Sequence, residues 1–212
     1  MHSALHIAVF CKPLIPGAVK TRLILAFGAE GAASIYAQLV DRTLTTVRHA
    51  QHALAASSSL WVAGDTSHPS INDWASRFAL PVFTQCEGDL GAKMFYCLDT
   101  MAATHERVLL IGTDCPAFTA DVFANAARSL TRECPWVFTP AEDGGYVLVG
   151  SAAPSMHAFD DIAWSTSGVM VQTRAALTAH GLAWAETPML WDVDVALDVA
   201  RARDLRLLDQ GS

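Results

Sequence analysis

Paired cysteines are missing from this chain. Its five cysteines (Cys11, Cys86, Cys97, Cys115 and Cys134) are odd in number and scattered, with no CxxC spacing. That pattern gives no basis for a disulfide framework or a zinc knuckle, and points to buried, reduced thiols in a cytoplasmic protein. Cations are scarce as well: 14 Lys+Arg against 21 Asp+Glu leave a net charge of -7. A surface of that sign repels nucleic-acid backbones and anionic lipid, so neither is an expected partner, and any phosphate chemistry has to come from a local basic cluster. Residues 1–10 have no cationic leader region and no small-residue cleavage site, so no secretory signal is expected. The long charge-free run over 144–159 contains Pro154 and several Gly and Ser, so no membrane span is expected there. Repeats, low-complexity tracts and linkers are also absent, which leaves one domain over residues 1–212. Apolar material is plentiful: 52% of the residues are hydrophobic, ample for a core.

Strand-like and helix-like stretches alternate along the chain. Residues 4–10 (ALHIAVF) and 107–111 (RVLLI) read as buried strands. Further strands are expected over 60–64, 80–84, 136–139 and 146–149, with extended segments near 183–187 and 190–193. Helical spacing runs over about 29–50, where Ile35, Leu39, Val40, Leu44 and Val47 fall near one face. Other helices are expected over 69–78, begun by Pro69, over 89–103, over 120–130 with Thr119 as cap, over 168–179, and from the 190s to about 208. Strands alternating with helices predict an α/β fold, a mostly parallel sheet covered on both faces.

Ligands of open α/β sheets bind beyond the carboxyl ends of the strands, so the segments that follow strands are the ones to inspect. After the first strand, Lys12, Lys20 and Arg22 fall in one short loop bent by Pro13, Pro16 and Gly17. Fixed cations with exposed backbone amides suit a di- or triphosphate; a solvated basic turn is the plainer alternative. GxxxxGK(S/T) is absent, so this is not a P-loop. After RVLLI come Gly112, which permits close approach, and Asp114, either a turn residue or a carboxylate poised for a hydrated divalent ion. The turn Pro140-Ala-Glu-Asp-Gly-Gly-Tyr146 is either a plain hairpin or a place where Glu142 or Asp143 faces an acceptor or metal while Gly144 and Gly145 leave room for substrate. In Trp191-Asp-Val-Asp194, Asp192 and Asp194 point to one side of an extended segment, although Asp194 also suits a helix N-cap. Asp89 and Lys93, at i, i+4, form either a capping turn with an ion pair or part of a phosphate or base pocket. Trp164, Ser165 and Thr166 precede a helix as caps or substrate donors. His49 and His52 lack a third ligand and read as a surface pair. No Ser/His/Asp or Cys/His arrangement is evident from order or spacing.

The ordered motifs FxKxPxPGxVKTRL, GDLGxxM, GTDxP, PAxDGGYxLxG, W-S-T and a terminal DVD resemble the GT-A-like nucleotide-diphospho-sugar transferase superfamily. The match is to a bacterial group labelled glycosyltransferase-like or radical-SAM/selenodomain-associated transferase. Guanylyltransferases for 2-phospholactate and for the molybdenum cofactor are more distant. The similarity runs over about 7–208, nearly the whole chain. It implies a single GT-A (Rossmann-like) three-layer α/β/α domain with a mostly parallel mixed sheet. It also implies a nucleotide or nucleotide sugar over the first loop, an acceptor of unknown identity, and Mg²⁺ or Mn²⁺ held by Asp114 with Asp192 or Asp194. Lys12, Lys20 and Arg22 match the family's basic loop, and Asp143, Gly144 and Gly145 its DGG turn. Lys93 stands where relatives carry Arg, and Asp192-Val-Asp-Val-Ala-Leu-Asp198 lacks the usual Thr-Pro continuation. The expected activity is metal-dependent transfer from a nucleotide-activated donor, catalysed through Asp114, Lys20 and Asp143. Glycosyl transfer is the first reading and nucleotidyl transfer with pyrophosphate release the second; a non-catalytic nucleotide-binding module is the third.

Overall fold

A computed structural model describes residues 4–210; the first three positions of the 1–10 stretch, where no leader is expected, lie outside them. Among the described residues, seven strands form one sheet in the order β3-β2-β1-β4-β6-β5-β7. The first four in that order, β3 (Val82–Thr84), β2 (Ser57–Val62), β1 (Leu5–Cys11) and β4 (Arg107–Ile111), are mutually parallel. β6 (Tyr146–Ser151) runs against β4 and against β5 (Trp136–Pro140), and β7 (Trp184–Glu186) pairs in parallel with β5. The reversal brings the 141–145 turn to the same end of the sheet as the loops after β1 and β4.

Helices cover both faces. α1 (Ile24–Leu54), α2 (Pro69–Phe78) and α4 (Ala120–Ser129) bury Tyr36, Val40, Ile71, Trp74 and Phe123 against one. α3 (Leu90–Ala102) and α5 (Val169–Ala179) bury Met94, Leu98, Met170 and Leu177 against the other, beside the fully enclosed Trp61, Trp136 and Phe138. Each such side chain contributes roughly 1.5–3 kcal/mol of apolar burial. A smaller cluster joins Leu23, Ile35 and Leu39 to Trp191, Val193 and Val199 of α6 (Ala196–Asp204), seating the 191–194 segment on α1.

Most expected elements are present, and the differences have local causes. α1 begins earlier than its apolar spacing suggests because a short first helical segment joins the main helix at Gly28, whose φ of 71° makes a kink next to the expected start. With the 3-10 turn before it, α1 is long and apolar enough to cross a membrane by length and composition. It is not a charge-free run, because Glu30 and Asp41 interrupt the apolar stretch. Its regularly spaced Ile35, Leu39, Val40, Leu44 and Val47 are buried in the protein core. β2 starts at Ser57 rather than at residue 60: the hydroxyls of Ser57 and Ser59 each lie 2.7 Å from a ring nitrogen of buried His6. Burial, with His105 alongside, pushes the His6 imidazole down to about 4. The 190–193 segment, expected as extended, meets the sheet through an isolated bridge from Leu190 to Ala141.

Candidate functional site at the carboxyl end of the sheet

The loop after β1 is anchored before it reaches the cleft. The Lys12 backbone N–H donates to the Tyr36 hydroxyl at 2.8 Å, and Leu14 N–H donates to Ser70 Oγ at 3.0 Å. The loop ends at Lys20, which adopts a left-handed conformation (φ 45°) and turns its side chain inward until only 6% of it is exposed. There the ammonium meets Asp114 Oδ1 at 2.8 Å, Asp194 Oδ1 at 3.2 Å and the Val193 carbonyl at 2.6 Å. Burial alone would lower the Lys20 pKa, but the two carboxylates outweigh it and hold the group above its ordinary value. Arg22 takes the other oxygen of Asp194 at 2.7 Å.

Backbone contacts fix the carboxylates. Val193 N–H donates to the Asp114 carbonyl at 2.9 Å, and Arg42 Nε donates to Pro116 O at 2.6 Å, bracing the loop after β4 from α1. Asp192 carries no hydrogen bond or ion pair among the described residues. Burial, with Asp143 and Asp194 adding like charge against the opposing Lys20, pushes its carboxyl up to about 6. Asp114, Asp143, Asp192 and Asp194 all line one hollow, and the other three act electrostatically on Asp192, an oxygen-rich lining of the kind hard divalent cations take. An Asp192 carboxylate crowded by like charge is what an added cation would relieve.

Two adjoining hollows share this ground. One, of about 700 Å³, lies over β1, β4 and β6 and includes Lys12, Gln85, Asp89, Lys93, Gly112 and Tyr146. The other, of about 640 Å³, includes Arg22, Asp143, Gly145, Trp164, Ser165 and Thr166. Lys12, Lys20, Asp114 and Asp192 line both. Lys12 and Lys93 have no carboxylate partner among the described residues. Asp89 caps α3 by accepting from Ala92 N–H at 2.8 Å and meets Trp164 Nε1 at 3.3 Å, so the expected pairing with Lys93 is absent.

Some expected site residues stand elsewhere. Glu142 takes a two-pronged ion pair with Arg201 (2.7 and 3.0 Å), and the Arg201 guanidinium lies 4.2 Å above the Trp191 ring centre. Its work is to brace the 191–194 segment, away from both hollows. Gly17 serves the bend of the loop and lines neither hollow. Gly144 makes room for protein rather than substrate: a Cβ there would lie 2.1 Å from the Ser167 carbonyl, and its φ is +91°. Asp143 folds back to accept from Gly145 N–H at 2.9 Å. Asp194 is not the cap of α6; Val195 is, and Asp198 Oδ2 accepts from the N–H groups of Asp194 and Val195 at 2.9 and 2.8 Å. Tyr36 and Gln85 carry no motif that would single them out. Tyr36 looks like one more apolar residue on α1, and Gln85 is a lone polar residue after a short strand. Cys11 and Cys115 line the larger hollow, but burial pushes both thiols up to about 12, so they are poor nucleophiles.

This architecture matches solved nucleotide-diphospho-sugar-transferase-type structures, which defines the class: a single α/β domain of GT-A type. A protein of Desulfovibrio desulfuricans G20, provisionally described as a nucleotide-diphospho-sugar transferase, is 27% identical with a TM-score of 0.82, over 95% of this chain and 88% of that one. Glucosyl-3-phosphoglycerate synthase of Mycobacterium tuberculosis, solved with Mn²⁺, UDP and glucosyl-3-phosphoglycerate, is 10% identical at TM-score 0.52, covering 97% and 77%. CMP:2-keto-3-deoxy-manno-octonic acid synthetase complexed with CTP is also 10% identical, at 0.56, covering 96% and 98%. Both distant likenesses are of fold. A search of curated proteins finds no significant match. The model of a family described as uncharacterised proteins conserved in bacteria (DUF2064) matches residues 46–166, more than half of the chain. The chain belongs to that family.

Proposed function

We propose that the protein is a metal-dependent transferase that takes a nucleotide sugar and passes its glycosyl group to a small acceptor. The observation that carries this reading is the division of the cations. Lys20 and Arg22 are committed to Asp114 and Asp194, which leaves Lys12 and Lys93 to face an incoming ligand. Two free cations suit a diphosphate better than a triphosphate. The dense basic loop taken by itself favours the second reading, nucleotidyl transfer with release of pyrophosphate.

In the first reading, Lys12 and Lys93 hold the diphosphate over the ends of β1 and β4, and Trp164 and Ser165 wall the side where the sugar and acceptor meet. Lys20 keeps Asp114 and Asp194 in register, and Asp143 orients the acceptor's nucleophile. Asp114 with Asp192 and Asp194 would hold Mg²⁺ or Mn²⁺, which when bound would supply charge neutralisation to the leaving phosphate. Positioning and electrostatics then carry the reaction, with no covalent intermediate on the protein. The same proposal puts the protein in the cytoplasm, with its cysteines free and no nucleic-acid partner.

The test is a panel of nucleotide sugars and nucleoside triphosphates with Mn²⁺, scored for the leaving group. Release of a nucleoside diphosphate supports the proposal. Release of pyrophosphate transfers the chemistry to the nucleotidyl reading. Binding without metal-dependent turnover of any kind defeats both.

A further inference from the structure

At the opposite end of α5 from Val169, which lines the cleft, a second group of ligating side chains converges. His157 lies in a 3-10 turn (Met156–Phe159), Asp160 follows that turn directly, and His180 sits at the carboxyl end of α5. His157 Nδ1 lies 2.8 Å and His180 Nε2 3.2 Å from the same oxygen, Asp160 Oδ2. The two imidazoles stack with centroids 4.3 Å apart at 16°. One donor atom from each residue lies within 4.8 Å of the other two. All three side chains are open to solvent, at 62%, 38% and 37% exposure.

We propose that His157, Asp160 and His180 form a binding site for a borderline divalent transition metal, of which Zn²⁺ is the representative. Two imidazoles and one carboxylate are the ligand set of such ions and are disfavoured by Mg²⁺ and Ca²⁺, which take oxygen ligands. Metal–ligand distances of about 2.0–2.2 Å put ligand atoms around one ion about 3.3 Å apart. The two nitrogen–oxygen separations already have this scale, so only the imidazole nitrogens must adjust to close the set. The ion takes the place of the His157 Nδ1–Asp160 hydrogen bond, any proton on a ligating nitrogen passing to solvent, and leaves at least one position to water. Its structural effect is to tie the 156–160 segment to the end of α5. That segment leads directly to Trp164, Ser165 and Thr166 in the cleft wall, and Phe159 packs 6.3 Å from the Trp164 ring. A Cβ on Gly91 of α3 would lie 2.8 Å from Trp164 and 3.0 Å from Phe159, so the wall is pressed closely against that helix. A metal at its base therefore stiffens the substrate side of the cleft without touching reacting atoms. This proposal is independent of the reaction the cleft performs.

The experiment titrates ZnCl₂ into chelator-treated, tag-free protein by calorimetry and follows melting in parallel, with Co²⁺ as a visible-absorption probe of nitrogen ligation. One equivalent is expected to bind with a micromolar Kd, and excess Zn²⁺ should raise Tm by about 5 °C. His157→Gln and His180→Gln should each weaken binding about 10-fold or more. Asp114→Asn should leave it unchanged, and excess Mg²⁺ should not compete. Because all three side chains are exposed, metal-free melting of the histidine variants should match the parent. Unaltered Zn²⁺ affinity in both histidine variants, or loss of it with Asp114→Asn, overturns the proposal.

Discussion

The two hollows of the cleft handle charge in opposite ways. Over β1, β4 and β6, beyond the Lys20, Asp114 and Asp192 that both hollows share, Lys12 and Lys93 have no carboxylate partner among the described residues, and most of the other lining residues are apolar, including Phe10, Met94 and Tyr146. Beside β4 and β5, cations and anions are interlocked: Lys20 bridges Asp114 and Asp194, Arg22 closes on Asp194, and Asp192 is left over. The first region has charge to offer a ligand, while the second has balanced most of its charge internally. Cations in the first should therefore govern affinity, whereas residues in the second should govern turnover and stability together.

The largest test of that contrast is Asp114→Asn. It removes a preorganised charge from the interlocked side and should slow metal-dependent turnover by about 10²-fold or more, read at saturating metal and donor. Undiminished turnover would remove Asp114 from the chemistry. Lys20→Met should cost stability as well, because it leaves Asp114 and Asp194 facing each other across a largely buried position. A loss of about 2–4 kcal/mol in denaturant unfolding is expected, reduced from the fully buried case because both carboxylates reach solvent. Lys93→Ala, on the open side, should weaken binding of a nucleoside diphosphate about 10-fold by calorimetry while leaving the melting temperature where it is. If Lys20→Met and Lys93→Ala behaved alike, the division between the two regions would fail.

Asp192→Asn should show a smaller effect of opposite sign. The folded-state pKa of Asp192, about 6, lies above its ordinary value of 3.8, so the folded protein holds this proton more tightly than the unfolded chain. Its contribution to stability accordingly falls as pH rises through that window and is flat above it. The variant should melt about 2–4 °C higher than the parent at neutral pH, and the difference should vanish below pH 4. An unchanged difference across the window would mean that Asp192 is not strained by its neighbours. Glu142→Gln is the smallest case. It loosens an exposed pair with Arg201 and should leave turnover within about two-fold.

The sequence made the frame legible in particular places. The RVLLI strand over 107–111 and the Pro69-initiated helix over 69–78 appear with those bounds. Thr119 caps α4 through Val122 N–H at 3.4 Å. In each case the signal is local: an apolar run, a fixed φ at proline, or a hydroxyl beside an orphan amide. Ser57 to Ser59 gave no comparable signal, because a polar strand start makes sense only with His6 and His105 against it. The same limit applies in the cleft. Post-strand position singled out Asp114, Asp192 and Asp194, yet nothing in the loop indicated that Lys20 would turn inward to join them. Glu142 and Asp143 are adjacent in the turn, but one faces Arg201 and the other Gly145.

Apolar periodicity and turn chemistry act over a few residues, so the chain itself dictated the alternation of strands and helices and the loops from which chemistry would come. Charge pairing acts through space: Lys20 and Asp194 are separated by 174 positions in the chain and by 3.2 Å in the fold. Which cations remained free and which were neutralised was therefore decided only when the sheet, α1 and the 191–194 segment came together, since Coulomb energy depends on distance and burial and not on order along the polymer.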